Sequence, residues 1–247
     1  MARLRGRIWA TVAHLFELSD AWLRADVSPT IATPLGEIVL TATLGEWSTA
    51  TLPAEALSGP LGSRLLRWEA PFGEAELLLC RPAIELPDQL AVTDAWAGLW
   101  RVAFSRAIEA CSFEASWRPD YRWTAGGPGG GQGLEAQTWT DGKIEVSLGT
   151  ESGEAILDRA REGRTLPPSW GTPEAFGCST LDCGELVRYA PTGITLALPS
   201  PPIGARAEFH FAVAWSPARP GDASTWFAVD LTRQQILDGL RGEDRDA

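Results

Sequence analysis

Alternation of apolar and polar side chains is clearest over residues 206–216. Ala207, Phe209, Phe211, Val213 and Trp215 fall on one side of an extended chain, with Arg206, Glu208, His210 and Ser216 on the other. That pattern predicts a strand with Phe209, Phe211 and Val213 in a core and Glu208 and His210 at least partly in solvent. Residues 35–44 alternate in the same way, Ile38, Leu40, Ala42 and Leu44 against Glu37, Thr41 and Thr43. Two further runs, 64–70 and 74–81, flank Pro71-Phe72-Gly73 and predict a hairpin. Thr140-Asp141-Gly142-Lys143 predicts a second hairpin, with a type I′ turn that sets Trp139 opposite Ile144. Residues 185–190, 194–198 and 225–231 also read as strands.

The period changes from about Thr93. Val92, Trp96, Leu99, Ala103, Ala107 and Ala110 lie three or four apart and predict a helix capped by Thr93 or Asp94. A helix over 153–162 should close at Gly163 ahead of Pro167-Pro168, and a terminal helix should start from a Thr232/Gln235 capping box. Near the N-terminus, Leu4, Ile8, Val12, Leu15 and Trp22 predict a helix over about 3–24, with a strand over 5–12 as the competitor. His14 and Glu17 interrupt this apolar stretch and no small-x-small cleavage site follows, so it reads as neither a signal peptide nor a membrane span. These elements predict an α+β fold: antiparallel sheets with helices packed on one face, the C-terminal part mostly a β-meander.

Residues 124–133 contain six glycines and no charge. The phosphate-binding patterns GxxxxGK[ST] and GxGxxG are absent there, so the stretch reads as a flexible connection. It lies inside a single domain, 1–247, or joins two subdomains, 1–123 and 134–247.

Composition narrows function by exclusion. The 247-residue chain is 45% hydrophobic and 21% charged, enough for a sizeable core, and carries a formal net charge of −11. Nucleic acid and anionic membrane would each require a basic face, so neither is expected as a partner. An acidic surface suits docking to a protein, and in particular a basic one. The four cysteines, Cys80, Cys111, Cys178 and Cys183, match neither a zinc site nor a secretory disulfide framework, and reduced thiols place the chain in the cytoplasm. No cofactor or metal is expected.

Candidate chemistry is sparse. Of the two histidines, His14 reads as structural and His210 as half of an exposed Glu208/His210 pair. A hydrolase built from Cys178 or Cys183 with His210 and a glutamate, or from paired carboxylates, has no sequence signature behind it. The twelve tryptophans, against two tyrosines, suggest core filling with a few interface anchors. Trp117, Trp123 and Trp170, in irregular segments near the glycine stretch and the Pro-Pro turn, are the candidate anchors. The expected function is therefore a non-catalytic acidic binder of another protein. An immunity-type inhibitor and an accessory subunit of a bacterial defence or secretion assembly both fit. The alternatives are a small-molecule or carbohydrate binder with tryptophan platforms, and the hydrolase.

Overall fold

A computed structural model describes residues 22–131, 133–176 and 186–240 of the chain. In chain order the strands are β1 (Leu23–Arg24), β2 (Thr30–Thr33), β3 (Gly36–Leu44), β4 (Trp47–Ser48), β5 (Glu55–Ser58), β6 (Arg64–Ala70), β7 (Gly73–Cys80) and β8 (Asp94–Phe104). There follow β9 (Ala110–Trp117), β10 (Ala125–Gly131), β11 (Leu134–Thr140), β12 (Ile144–Glu151), β13 (Val187–Ala190), β14 (Gly193–Pro199) and β15 (Arg206–Pro217). The α-helices are α1 (Gly153–Arg161), α2 (Ser224–Val229) and α3 (Arg233–Leu240). The strands build a nine-stranded sheet, β1-β5-β6-β7-β8-β15-β12-β11-β10, and a six-stranded one, β13-β14-β9-β3-β2, with β4 paired to β3. All pairings are antiparallel, and both sheets draw strands from either side of residues 124–133. No helix among the described residues is long and apolar enough to cross a membrane.

The small sheet packs on the inner face of the large one. Ile38, Leu40, Phe113, Ala115 and Leu196 from the first meet Leu77, Trp100, Phe209, Phe211 and Val213 from the second. A line of rings runs through this layer: Trp68 stacks on Trp100 at 5.5 Å, Trp100 meets the edge of Phe113 at 5.5 Å, and Phe113 meets Phe209 at 4.0 Å. On the outer face of the large sheet, Ala97, Leu99, Ala212 and Ala214 pack with Ala228, Val229 and Ile236 of the two C-terminal helices. The fold is thus sheet-dominated, with few helices, rather than a clear α+β arrangement.

The helix expected from Thr93 to Ala110 is the main correction: residues 94–104 form β8. As a central strand it is covered on both sides. Trp100, Val102 and Phe104 face the small sheet, while Ala95, Ala97 and Leu99 face the C-terminal helices. A doubly buried strand reads as an almost unbroken apolar run, in which a three-or-four spacing is easily found. Residues 225–231, expected as a strand, lie instead in α2 and the turn after it.

The glycine stretch is also more ordered than expected. Residues 125–131 are the edge strand β10, paired with β11 from Ala125↔Thr140 to Gly131↔Leu134. Its Pro128 is tolerated because an edge strand leaves one side free of ladder bonds. At the β11–β12 hairpin only Gly142 has positive φ, at 86°, so the turn is not type I′. Asp141 Oδ1 instead accepts from the N–H groups of Lys143 and Ile144, each at 2.8 Å, and Trp139 pairs with Val146 rather than Ile144.

Other expectations hold. The 64–81 hairpin is β6–β7, and α1 begins at an N-cap Ser152 whose side chain accepts from Ala155 N. The capping box of α3 closes, Thr232 N donating to Gln235 Oε1 at 2.8 Å and Gln235 N to Thr232 Oγ1 at 3.3 Å. Of the helix expected over about 3–24, residues 22–24 are not helical, Leu23–Arg24 forming β1, and the rest lies outside the described residues, as do His14, Cys178 and Cys183.

Candidate binding cleft

Where β8 ends and β15 begins, two irregular segments face each other across a cleft of about 550 Å³. One wall is the segment after α1. Gly163 ends that helix with φ 66°, and Pro167-Pro168 prevents its continuation. The other wall is the turn from Pro202 into β15, which passes through Gly204 at φ 80°. Leu166, Pro167, Pro168, Pro202, Ile203 and Ala205 give the cleft its apolar surface, and Thr165, Arg206 and Glu208 its polar groups.

Both walls are tied down. Arg161 Nε donates to Gly171 O at 2.8 Å, Gly204 N to Phe104 O at 2.7 Å, and Phe104 N to Ala205 O at 2.9 Å. Trp170, 1% exposed, lies behind the first wall and donates its indole N–H to Ser200 O, at 3.4 Å, on the approach to the second. Thr165 is held at φ 58°, a left-handed conformation that β-branched residues rarely adopt. Two bonds hold it there: Arg159 Nη1 donates to its hydroxyl at 2.6 Å, and Glu208 N donates to its carbonyl at 2.8 Å. A cleft walled by such segments is preformed.

Behind the polar end runs an ionic ladder on the outer face of the large sheet. Arg67 of β6, Glu76 of β7, Arg101 of β8 and Glu208 of β15 stand directly opposite one another, strand by strand. Arg67 Nε reaches Glu76 Oε1 at 2.7 Å, Arg101 Nε lies 3.3 Å from Glu208 Oε1, and Arg233 of α3 reaches Glu208 Oε2 at 2.5 Å. A second group adjoins it: Arg159 bonds Glu151 at 2.8 Å, and His210 Nδ1 lies 3.8 Å from the same carboxylate.

Glu208 and His210 were expected near solvent but are 9% and 4% exposed. The polar side of β15 is buried against other ions rather than wetted. Burial pulls the His210 pKa below its ordinary value, the nearby Glu151 charge opposing this and Arg159 reinforcing it, so the imidazole is neutral. No described cysteine joins His210. Cys80 and Cys111 are buried elsewhere, and desolvation raises the pKa of both thiols, that of Cys80 to about 12. Among the described residues no group of three or more His, Cys, Asp or Glu is placed to hold a metal.

The three candidate tryptophans separate. Trp117 and Trp123 come together around Trp139, with ring centres 5.5 and 6.3 Å from it, and Trp123 stacks on Tyr121 at 4.3 Å. Trp117 is 6% exposed and Trp123 half-buried, whereas Trp170 stands apart behind the cleft. None of the described tryptophans is exposed; the large exposed apolar side chains are Leu23, Leu61, Tyr121, Tyr189, Ile203 and Phe227. Thr165 and Ile203 were not singled out by their place in the sequence, and Arg206 and Glu208 only as the polar side of a strand. The signal that could have found them is the pair of Pro-Pro turns, 167–168 and 201–202. Searched against known proteins, the chain matches no family model and no curated sequence.

Proposed function

We propose that this chain is a non-catalytic binding protein that recognises another protein, and that the cleft between the two Pro-Pro turns is where the partner docks. The observation that carries this reading is Ile203, 68% exposed at the rim of an apolar concavity whose two walls are pinned. A scattered exposed side chain needs no explanation, but an exposed apolar residue beside a preformed apolar recess has the anchor-and-pocket form of an interface centre. An enzymatic role draws less support, because the one described histidine is buried under Arg159 and a hydrogen bond to the Leu231 backbone, and the described thiols are inert. An immunity-type inhibitor or an accessory subunit of a defence or secretion assembly would work through such a surface.

The test is affinity capture in the native host with tagged wild-type chain, Ile203→Asp and Tyr121→Ala, the last altering an exposed ring in the Trp139 aromatic cluster. A partner recovered by wild type and Tyr121→Ala, and lost at least tenfold by Ile203→Asp, supports the cleft. Equal recovery by all three, or none by wild type, overturns it.

A further inference from the structure

We infer that the cleft recognises a carboxylate, namely the free C-terminus of a partner polypeptide that ends in an apolar residue; this rests on the partner-binding reading above. The inference comes from counting which polar groups at the cleft are already used. Glu208 is occupied by Arg101 and Arg233, and the hydroxyl and carbonyl of Thr165 by Arg159 and by Glu208 N. Arg206 is different. It lines the cleft, is exposed, and makes no ion pair among the described residues.

Arg164, in the wall segment, adds a second positive charge whose side chain is 81% exposed and whose ion contact, Glu162, is a loose 3.9 Å away. In a chain of net charge −11, Arg206 thus sets a positive charge with no ion pair among the described residues at this cleft. The basic partner suggested by overall charge is not what these groups would attract. A guanidinium offers a planar fork of donors matched to the two oxygens of a carboxylate, and beside a low-dielectric apolar wall that pairing strengthens.

The apolar walls select among carboxylates. Aspartate and glutamate carry their charge at the tip of a side chain that has no apolar branch. A C-terminal Val, Leu, Ile or Phe carries its carboxylate and its apolar side chain on the same Cα, so one residue can meet Arg206 and the Leu166–Pro168 and Ile203 surfaces together. A fatty acid offers the same head group, but the cleft is open to solvent along one side and would leave most of a long acyl chain wet. Capture of a C-terminal carboxylate is a known mode of peptide recognition.

The experiment uses the full chain and a pool of N-acetylated tetrapeptides ending in Val, Leu, Ile or Phe, each as free acid and as C-terminal amide, with decanoate as a third arm. Binding is read by isothermal titration and ligand-observed NMR. The expected result is that one or more free acids bind, that their amides bind at least tenfold more weakly, and that Arg206→Gln removes the difference between acid and amide. Arg206 is exposed, so this variant should fold; Arg206→Lys, retaining charge without the fork, should recover part of the preference. Acid and amide binding equally, with both lost in Ile203→Asp, would overturn the carboxylate and leave the cleft as a docking site. Binding of decanoate alone, or of no probe while capture of a partner still depends on Ile203, would also overturn the inference but not the reading beneath it. No probe binding together with Ile203-independent capture would overturn both.

Discussion

The two faces of the nine-stranded sheet solve different problems, and β15 shows both within one strand. On the inner face Ala207, Phe209, Phe211 and Val213 are buried against the small sheet and present no polar side-chain atom. On the outer face Glu208 and His210 are nearly as well buried, yet among charged neighbours. Apolar burial stabilises in proportion to area and is indifferent to which apolar group lies opposite. It rejects a slip of one residue, which would turn the whole set outward, but only weakly resists a slip of two. The ladder resists the slip of two. Glu208 stands opposite Arg101, and moving the register by two residues would set it against Leu99 or Ala103 with both charges still buried. The inner face thus supplies stability and parity, while the outer face supplies register. Buried ion pairs fit that second role, since their desolvation cost offsets most of their attraction.

The largest expected effect tests this division. Phe211→Ala, at a fully buried inner-face site, should cost about 3–5 kcal/mol by chemical denaturation, the range for emptying an aromatic core position. Glu208→Ala should cost about 3 kcal/mol, because it removes one of the two carboxylates that flank the buried Arg101, Glu76 remaining on the other side. The discriminating variant is the double replacement Arg101→Met with Glu208→Leu. If the ladder chiefly sets register, this chain should recover most of the stability lost in Glu208→Ala. A double variant as unstable as the sum of the two single ones would mean that the ions contribute net stability, and the contrast between the faces would fail.

The same contrast explains what could be read in the sequence. The inner face of β15 was legible because alternation is a local property, and so were β3, the β6–β7 hairpin, α1 and the capping box of α3. The burial of Glu208 was not legible, because its partners Arg101 and Arg233 come from other elements, and only pairing with β8 shows that they meet. β8 itself was misread because its two faces are both covered. The cleft was half legible: each Pro-Pro turn announces a bend, but nothing local says that the two bends face one another. Tryptophan anchors are expected in irregular segments, yet Trp117 is the last residue of β9 and, like Trp170, turns inward. An indole at a loop can hold that loop to the core as readily as it can meet a partner.

The glycine strand β10 lets the two faces be compared one position at a time. A Cβ added at Gly126 would fall 2.3 Å from Cδ1 of Trp139, a ring of the inter-sheet core, and one at Gly131 would fall 2.5 Å from Cζ2 of Trp226. A Cβ at Gly127 would meet nothing within 4 Å. Gly126→Ala should therefore cost about 1–3 kcal/mol through overpacking, and Gly131→Ala less, since the half-buried Trp226 has more room to move. Gly127→Ala should stay within about 0.5 kcal/mol of wild type. Thermal melts of the three variants are sufficient. Equal, negligible shifts would return residues 124–133 to the flexible connection their composition suggests; the expected ranking makes two of the glycines seats for indole rings.

The smallest effect is a pH dependence that belongs to the outer face alone. His210 is enclosed by Glu151 of β12, Arg159 of α1, Asp230 after α2 and the Leu231 backbone, and burial pulls its pKa below the ordinary 6.5. In the unfolded chain the imidazole titrates near that ordinary value, about 6.5. Above it both states are neutral and the folded protein keeps its full stability. Below it the unfolded chain takes up a proton that the folded one resists, so stability is lost as pH falls through about 6.5 and toward the lower folded value. The melting temperature of the wild type should consequently drop between about pH 7.5 and pH 5.5, a window lying above the ordinary carboxylate range. His210→Gln cannot take up that proton, and although less stable at the upper pH it should show a shallower drop. His14 is common to both chains and cancels. Parallel curves for the two would mean that His210 gains on protonation from Glu151 what it loses to burial, and the outer face would then hold a working ion pair where a neutral ring is described.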